Sequence, residues 1–215
     1  MTTILLADDH RIVREGLCAL LEQKERLTVV ANVSNGPDAL EHALKLNPDI
    51  AILDITMPEM NGIEVSRRLQ SERPSIHVII LSMHADREFV IESLRAGAKG
   101  YVLKDSAFRD LRLAIRTVQQ GGIYLSPQIT PVVVDAAIHS PDSAELSPFT
   151  LLSPREREVL QMIAEGIKTR DIALSLIVSE KTVETHRRNI MEKLDLRSVA
   201  ELTKYAVRHG LTDID

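Results

Sequence analysis

The sequence predicts an α/β domain built on a doubly wound, five-stranded parallel sheet, followed by an all-α domain of four helices. Three observations predict it. Between Thr3 and Val118, five short apolar runs rich in β-branched residues alternate with amphipathic stretches. From Gly121 to Pro148 that alternation stops, and glycine and proline punctuate the chain. From Ser153 onward the periodicity is purely helical.

The apolar runs are Thr3–Ala7, Leu27–Ala31, Ile50–Leu53, Ile76–Leu81 and Gly100–Leu103. Each is apolar on both faces, as a strand covered by helices on two sides must be. Val13, Leu17, Leu20 and Leu21 mark one intervening helix, and Phe108, Leu111, Ile115 and Val118 mark another, each with an apolar stripe at helical spacing. Five strands alternating with five helices imply a flavodoxin-like sheet in the common order 2-1-3-4-5. Cys18 sits among Leu17, Ala19, Leu20 and Leu21 and reads as a small core residue. As the single cysteine it cannot form an internal disulfide.

These patterns divide the chain into a first domain over 1–122, a linker over 123–147 and a second domain over 148–215. Gly121-Gly122 and prolines 127, 131, 141 and 148 mark the linker. Val132 to Ile138 can form a short helix within it, and Ser140 to Ser147 reads as flexible. Ser153-Pro154-Arg155-Glu156 then combines an N-cap serine, a first-turn proline and a glutamate that closes a capping box. That helix presents Val159, Leu160 and Ile163 and stops near Gly166. A second runs from Thr169 to Ser175. A third starts at Ser179, with Val178 and Val183 as a hydrophobic staple. A fourth runs from Ser198 to His209 and ends at Gly210.

Composition narrows the function classes. The 215 residues are 44% hydrophobic and 27% charged, a profile with enough apolar residues for two modest cores. No apolar run reaches the ~20 residues of a membrane helix, and MTTILLADDH lacks the marks of a signal peptide. A cytoplasmic protein with no membrane partner is expected. The net charge of −5 does not advertise nucleic-acid binding. Residues 150–215, however, carry 11 basic and 11 acidic side chains, and segregation of those charges onto one face would allow it.

Two constellations carry chemistry. Asp8 and Asp9 follow the first strand and Asp54 follows the third. In the expected sheet order these strands are neighbours, and their C-terminal ends form the ligand crevice. Three close carboxylates repel one another, and a hard cation relieves the repulsion. Mg²⁺ favours oxygen ligands and joins carboxylates to phosphate. Asp54 is the candidate nucleophile, because a carboxylate can carry a phosphoryl group. Lys104, after the fifth strand, and Ser82, at the end of the fourth, stand where they can contact phosphoryl oxygens.

ADDH at 7–10, LDITMPEMNGIE at 53–64, ILSMHA at 80–85 and GYVLKD at 100–105 resemble the four sequence blocks of a receiver domain, a resemblance spanning residues 3 to 122. It implies that Asp54 accepts phosphate from a sensor histidine kinase. It also implies that Asp8, Asp9, Asp54 and the backbone carbonyl of Thr56 ligate Mg²⁺, and that Ser82, Tyr101 and Lys104 transmit the change. Movement of Ser82 on phosphorylation would open space for Tyr101; Tyr101 can equally be a static strand residue. Thr56 and His84 are positions that can tune acyl-phosphate lifetime, and His84 reads equally as an ordinary loop histidine. Asp105 stands where many receivers have proline.

The helix after Ser179 carries the second constellation. Val183, Ile190 and Leu194 form its apolar stripe. Lys181, Glu184, Thr185, Arg188, Asn189 and Glu192 lie opposite, flanked by His186 and Arg187. With the tight turn at Ile177-Val178-Ser179, this is the logic of a helix-turn-helix whose second helix enters the major groove. LSPREREVLQMIAEG at 152–166 and the segment from 177 to 194 resemble the LuxR/NarL helix-turn-helix. The resemblance places Glu184, Thr185 and Arg188 at base-reading positions, and Lys181, Thr182, Arg187 and Lys193 as candidates for phosphate contacts. His186 can pack at the core edge or reach DNA. Receiver, linker and helix-turn-helix in this order resemble the NarL/FixJ class of response regulators. The partners implied are a histidine kinase, double-stranded DNA and, on phosphorylation, a second copy. Val199, Leu202, Tyr205 and Ala206 either offer the dimer surface or close the bundle core. Two rival readings remain: a phosphatase working through an aspartyl phosphate, which would want an acid where Thr56 stands, and a DNA-binding protein that ignores phosphate. Neither an enzyme turning over external substrates nor a further cofactor is implied.

Overall fold

The structure, a computed structural model, describes residues 1–23, 27–138 and 151–212. They group into two compact units, described separately. The first contains β1 (Thr2–Ala7), α1 (Arg11–Glu22), β2 (Leu27–Val33), α2 (Gly36–Leu46), β3 (Ile50–Asp54), α3 (Gly62–Glu72), β4 (His77–Ser82), α4 (Arg87–Arg95), β5 (Gly100–Leu103), α5 (Ala107–Gln119), β6 (Tyr124–Leu125) and α6 (Thr130–Ile138).

The sheet is parallel, in the order β2-β1-β3-β4-β5-β6. Alternate residues of the central strands, among them Ile4, Leu6, Ile52, Ile79, Leu81 and Val102, join Leu17 and Leu21 of α1 and Leu111, Ile115 and Val118 of α5 in one buried cluster. The residues between them, such as Leu5, Leu53 and Ile80, are equally buried and turn to the opposite face. α2, α3 and α4 pack on that side of the fold, against β1, β3, β4 and β5.

Three features depart from the sequence reading. The sheet has six strands rather than five, because Tyr124 and Leu125 pair with Gly100 and Tyr101. Ser126 reinforces the join: its N–H donates to the Tyr101 carbonyl (2.9 Å), and its hydroxyl accepts from Leu103 N–H (3.2 Å). Phe108, expected on the buried stripe of α5, is 53% exposed; its ring lies over Gly16 of α1, where even an added Cβ would approach to 3.0 Å. Cys18 and Leu20 are half-buried at the rim of the core. Burial nonetheless pushes the Cys18 thiol above its ordinary range, and its sulfur accepts from Asn32 Nδ2 at 3.2 Å. The short helix expected over Val132 to Ile138 is present as α6, which packs against α4. The expected flexible stretch from Ser140 to Ser147 lies outside the described residues.

The second unit contains α7 (Pro154–Ala164), α8 (Thr169–Ser175), α9 (Glu180–Leu194) and α10 (Val199–Arg208). Ser153 and Glu156 close the expected capping box, and Ser198 with Glu201 closes a second. Val159, Leu160, Ile172, Val183, Ile190, Leu202 and Ala206 are buried. Leu202 and Ala206 therefore close the bundle, whereas Val199 (47% exposed) and the half-exposed Tyr205 turn outward.

The turn between α8 and α9 contains a costly residue. Ile177 adopts φ +53 while 91% exposed. A left-handed conformation costs an L-residue about 1–2 kcal/mol, and this side chain recovers little by burial. Ile177→Gly should therefore raise the melting temperature of the helical unit, by the equivalent of about 0.5–1 kcal/mol after the entropy cost of glycine. An unchanged or lower melting temperature in thermal denaturation would show that the turn carries no such strain.

Candidate functional site

Sheet register assembles the site. Ala7 is level with Leu53, Asp54 with Leu81, and Ser82 with Leu103. The strands thus end together, and the chain leaves them through Asp8, Asp9, Asp54, Ser82 and Lys104 at one edge. Asp8 is fully buried, Asp54 and Ser82 nearly so, and Asp9 is exposed.

Lys104 bridges two of the carboxylates. Its Nζ lies 2.6 Å from Asp54 Oδ2 and 2.9 Å from Asp8 Oδ2. It makes a directed hydrogen bond only to Asp54. One ammonium for three carboxylates leaves the pocket short of positive charge. Burial pushes the Asp54 carboxyl up to about 7; Lys104 pulls it down, while Asp8 and Asp9 push it further up. Burial alone would lower the Lys104 ammonium, but Asp54 and Asp8 outweigh it and hold that group above its usual range. One ligand atom from each of Asp8, Asp9, Asp54 and His10 falls within 4.8 Å of the others. An oxygen-rich, charge-deficient pocket of this kind suits a hard divalent cation. His10 is the member that the sequence reading missed. The only signal for it was its place directly after the aspartate pair.

Gly62 makes this arrangement possible. It opens α3 behind the N-cap residue Asn61, whose side chain accepts from Glu64 N–H at 2.9 Å. The Gly62 N–H donates to the Ile55 carbonyl at 2.9 Å. A Cβ on Gly62 would come 2.0 Å from the backbone oxygen of Asp54. Thr56, half-buried, lies in the loop between.

Ser82 and Tyr101 both hold the loop after β4. Ser82 Oγ accepts from His84 N–H (2.9 Å), and the Tyr101 hydroxyl donates to the His84 carbonyl (2.8 Å). Tyr101 is fully buried. Burial raises its phenol well above the ordinary range. His84 stacks on Phe89 with ring centroids 5.0 Å apart.

In the helical unit, α9 presents Lys181, Glu184, Arg188 and Lys193 to solvent, with Thr182, Thr185 and Arg187 half-buried. Ser179 caps the helix, accepting from Thr182 N–H at 3.1 Å. Lys193 is also committed within the unit, with Nζ 2.6 Å from Glu156 Oε2. Burial would raise the Glu156 carboxyl, but Lys193 and Ser153 outweigh it and hold it below its usual range. His186 is half-buried, and its Nδ1 is buried without a hydrogen-bond partner among the described residues.

This geometry agrees with known proteins in both units. Residues 4–116 match the family model "Response regulator receiver domain", and residues 150–206 match "Bacterial regulatory proteins, luxR family". The chain belongs to the receiver–LuxR response regulators. Among curated relatives, the oxygen regulatory protein NreC of Staphylococcus haemolyticus is 40% identical over 214 residues, covering 98% of this chain and 99% of that one. NreC of Staphylococcus carnosus is 37% identical over 214 residues, with the same coverage. Among solved structures, a LuxR-family response regulator from Aurantimonas sp. SI85-9A1 is 32% identical with a TM-score of 0.61, over 65% of this chain and 99% of that one. RcsB of Salmonella enterica serovar Typhimurium, bound to the promoter rprA in the presence of the phosphomimetic BeF3−, is 28% identical with a TM-score of 0.59, over 95% of this chain and 98% of that one. The response regulator is thus a transcription factor in architecture and not a conventional enzyme. No helix among its described residues is long and apolar enough to cross a membrane.

Proposed function

We propose that this response regulator is phosphorylated on Asp54 by a sensor histidine kinase and thereby switches DNA binding through α9. The observation that carries the reading is the buried Asp54 carboxylate, held by Lys104 at 2.6 Å beside Asp8. Asp54 attacks the phosphorus of the kinase phosphohistidine; a P–O bond forms, the P–N bond breaks and imidazole leaves. Asp8, Asp9, Asp54 and the Thr56 carbonyl would hold Mg²⁺, which would neutralise charge on the carboxylates and the incoming phosphoryl group. Lys104 pairs with a phosphoryl oxygen and Ser82 donates its hydroxyl to another. The His84 loop, gripped by both Ser82 and Tyr101, then carries the change to α4.

In the helical unit, Glu184, Thr185 and Arg188 are assigned to bases. Arg188 suits guanine and Glu184 the cytosine amino group. Lys181, Thr182, Arg187 and Lys193 are assigned to phosphates; Lys193 must share its charge with Glu156. A solved complex described as two RcsB dimers bound to two parallel DNAs supports a homodimer on paired half-sites, with Val199 and Tyr205 on its candidate surface. A soluble regulator of this kind works in the cytoplasm.

A small phosphodonor with Mg²⁺ should raise the affinity of the full chain for its selected DNA site, whereas Asp54→Asn should show no response. An equal response from Asp54→Asn, read by gel shift and phosphate-affinity electrophoresis, would refute the role of Asp54. Arg188→Ala should cost about 1–3 kcal/mol at one base pair and relax specificity there. Uniform weakening across all sequences would instead make Arg188 a phosphate contact.

A further inference from the structure

The imidazole at the mouth of the acidic pocket is not needed for a hard cation. We infer that His10 makes this pocket a site for divalent transition ions that accept a nitrogen ligand, with Zn²⁺ the probe of the class, in competition with Mg²⁺. The inference rests on the reading of Asp8, Asp9 and Asp54 as cation ligands, and adds a fourth side chain and a selectivity to it.

Three observations support it. The first is placement: His10 Nδ1 stands 2.6 Å from Asp9 Oδ1 and 3.5 Å from Asp8 Oδ1. Neighbouring ligands of a small ion held at about 2.1 Å stand about 3.0–3.4 Å apart, so the His10–Asp8 pair is close to that spacing and the His10–Asp9 pair would open by about 0.4–0.8 Å. The second is that, among the described residues, the ring pairs with the carboxylates alone. His10 occupies the N-cap position of α1, yet its side chain makes no capping bond there. Its backbone N–H fastens the residue to Asp8 Oδ1 at 2.8 Å, and the ring is turned to the carboxylates. The third is access. Lys104 covers the Oδ2 side of Asp8, whereas His10 stands on the Oδ1 side, with a ring 58% exposed. An ion can reach the ring and Asp9, whose side chain is 33% exposed, from solvent without first displacing the ammonium.

Imidazole discriminates between ion classes. Mg²⁺ prefers oxygen and keeps its water, and gains little from a ring nitrogen. Zn²⁺, Co²⁺ and Ni²⁺ bind imidazole well. His10 should therefore raise affinity for the second class while leaving the first nearly unchanged.

Calorimetric titration of the full chain with Zn²⁺ and with Mg²⁺, singly and in competition, tests this, alongside His10→Ala and His10→Gln. Zn²⁺ should be displaced by excess Mg²⁺. Both substitutions should weaken Zn²⁺ binding by at least about tenfold and leave Mg²⁺ binding within about twofold. In the parent chain, Zn²⁺ should shift the ring nitrogen resonance of His10. The inference is overturned if Zn²⁺ affinity survives both substitutions, if Zn²⁺ and Mg²⁺ weaken by the same factor, or if Mg²⁺ does not displace Zn²⁺. A pocket that binds Mg²⁺ but owes nothing to His10 leaves the proposed function intact. A pocket that binds neither ion removes both.

Discussion

A Gly62→Ala chain should be less stable than the parent by more than about 3 kcal/mol and should accept phosphate at least about a hundredfold more slowly. The added Cβ would lie 2.0 Å from the Asp54 carbonyl oxygen and 2.9 Å from its carbonyl carbon. Both are main-chain atoms at the end of a central strand, so no side-chain rotation relieves the clash. Relief must come from moving α3 or from moving Asp54. The first breaks the 2.9 Å bond from Gly62 N–H to the Ile55 carbonyl. The second displaces Asp54, the proposed nucleophile, and a misplacement of about 1 Å can cost about a hundredfold in rate. Overpacking in a well-filled core costs about 1–3 kcal/mol even where side chains adjust. Gly100→Ala is the matched comparison: the nearest atoms to its Cβ would be those of the Ile79 side chain, at 3.0 Å, so it should cost no more than that range. Denaturant melts of the two variants should differ clearly; equal costs would mean that the α3 start yields easily.

Lys104→Met should be destabilised by about 3–5 kcal/mol above neutral pH without divalent ions, the usual result of removing one partner from a buried ion pair. The loss should depend on pH in a defined direction. The parent Asp54 carboxyl already titrates at about 7 in the fold, well above its value in an unfolded chain. The folded state therefore binds that proton more tightly. Its stability falls as pH rises from the ordinary carboxylate range to about 7, and then levels. Without the ammonium, Asp54 titrates higher still and the decline continues past 7. The deficit of the variant should thus be small near about pH 6 and large near about pH 8.5. Mg²⁺ should restore more stability to the variant than to the parent, because the cation no longer competes with Nζ for Asp8 and Asp54. Urea melts at the two pH values, with and without Mg²⁺, measure this; a deficit independent of pH and of Mg²⁺ would refute the account.

The acidic site and the principal elements were readable from the sequence because each rests on strong local signals. Apolar runs fix the strands. Strand ends fix where Asp8, Asp54 and Lys104 emerge, and sheet order does the rest. What escaped depended on contacts between distant residues. β6 has two residues, too few for any periodicity, and exists because Gly100 and Tyr101 offer it an open ladder. The Phe108 ring found its place over Gly16, on another helix, rather than on the stripe of its own. The pairing of Lys193 with Glu156 crosses 37 positions, so a lysine that reads as a free phosphate contact is tied to its own domain. Sequence likewise gives no sign that the Tyr101 hydroxyl reaches the His84 carbonyl, 17 positions away.

The two residues of β6 also shield a vulnerable margin. Were the chain cut after Gly122, β5 would present unpaired amide and carbonyl groups to solvent, and bare strand margins recruit other chains. An isolated receiver half ending there should self-associate and precipitate. One carried through to Ile138 keeps its hem and should remain monodisperse.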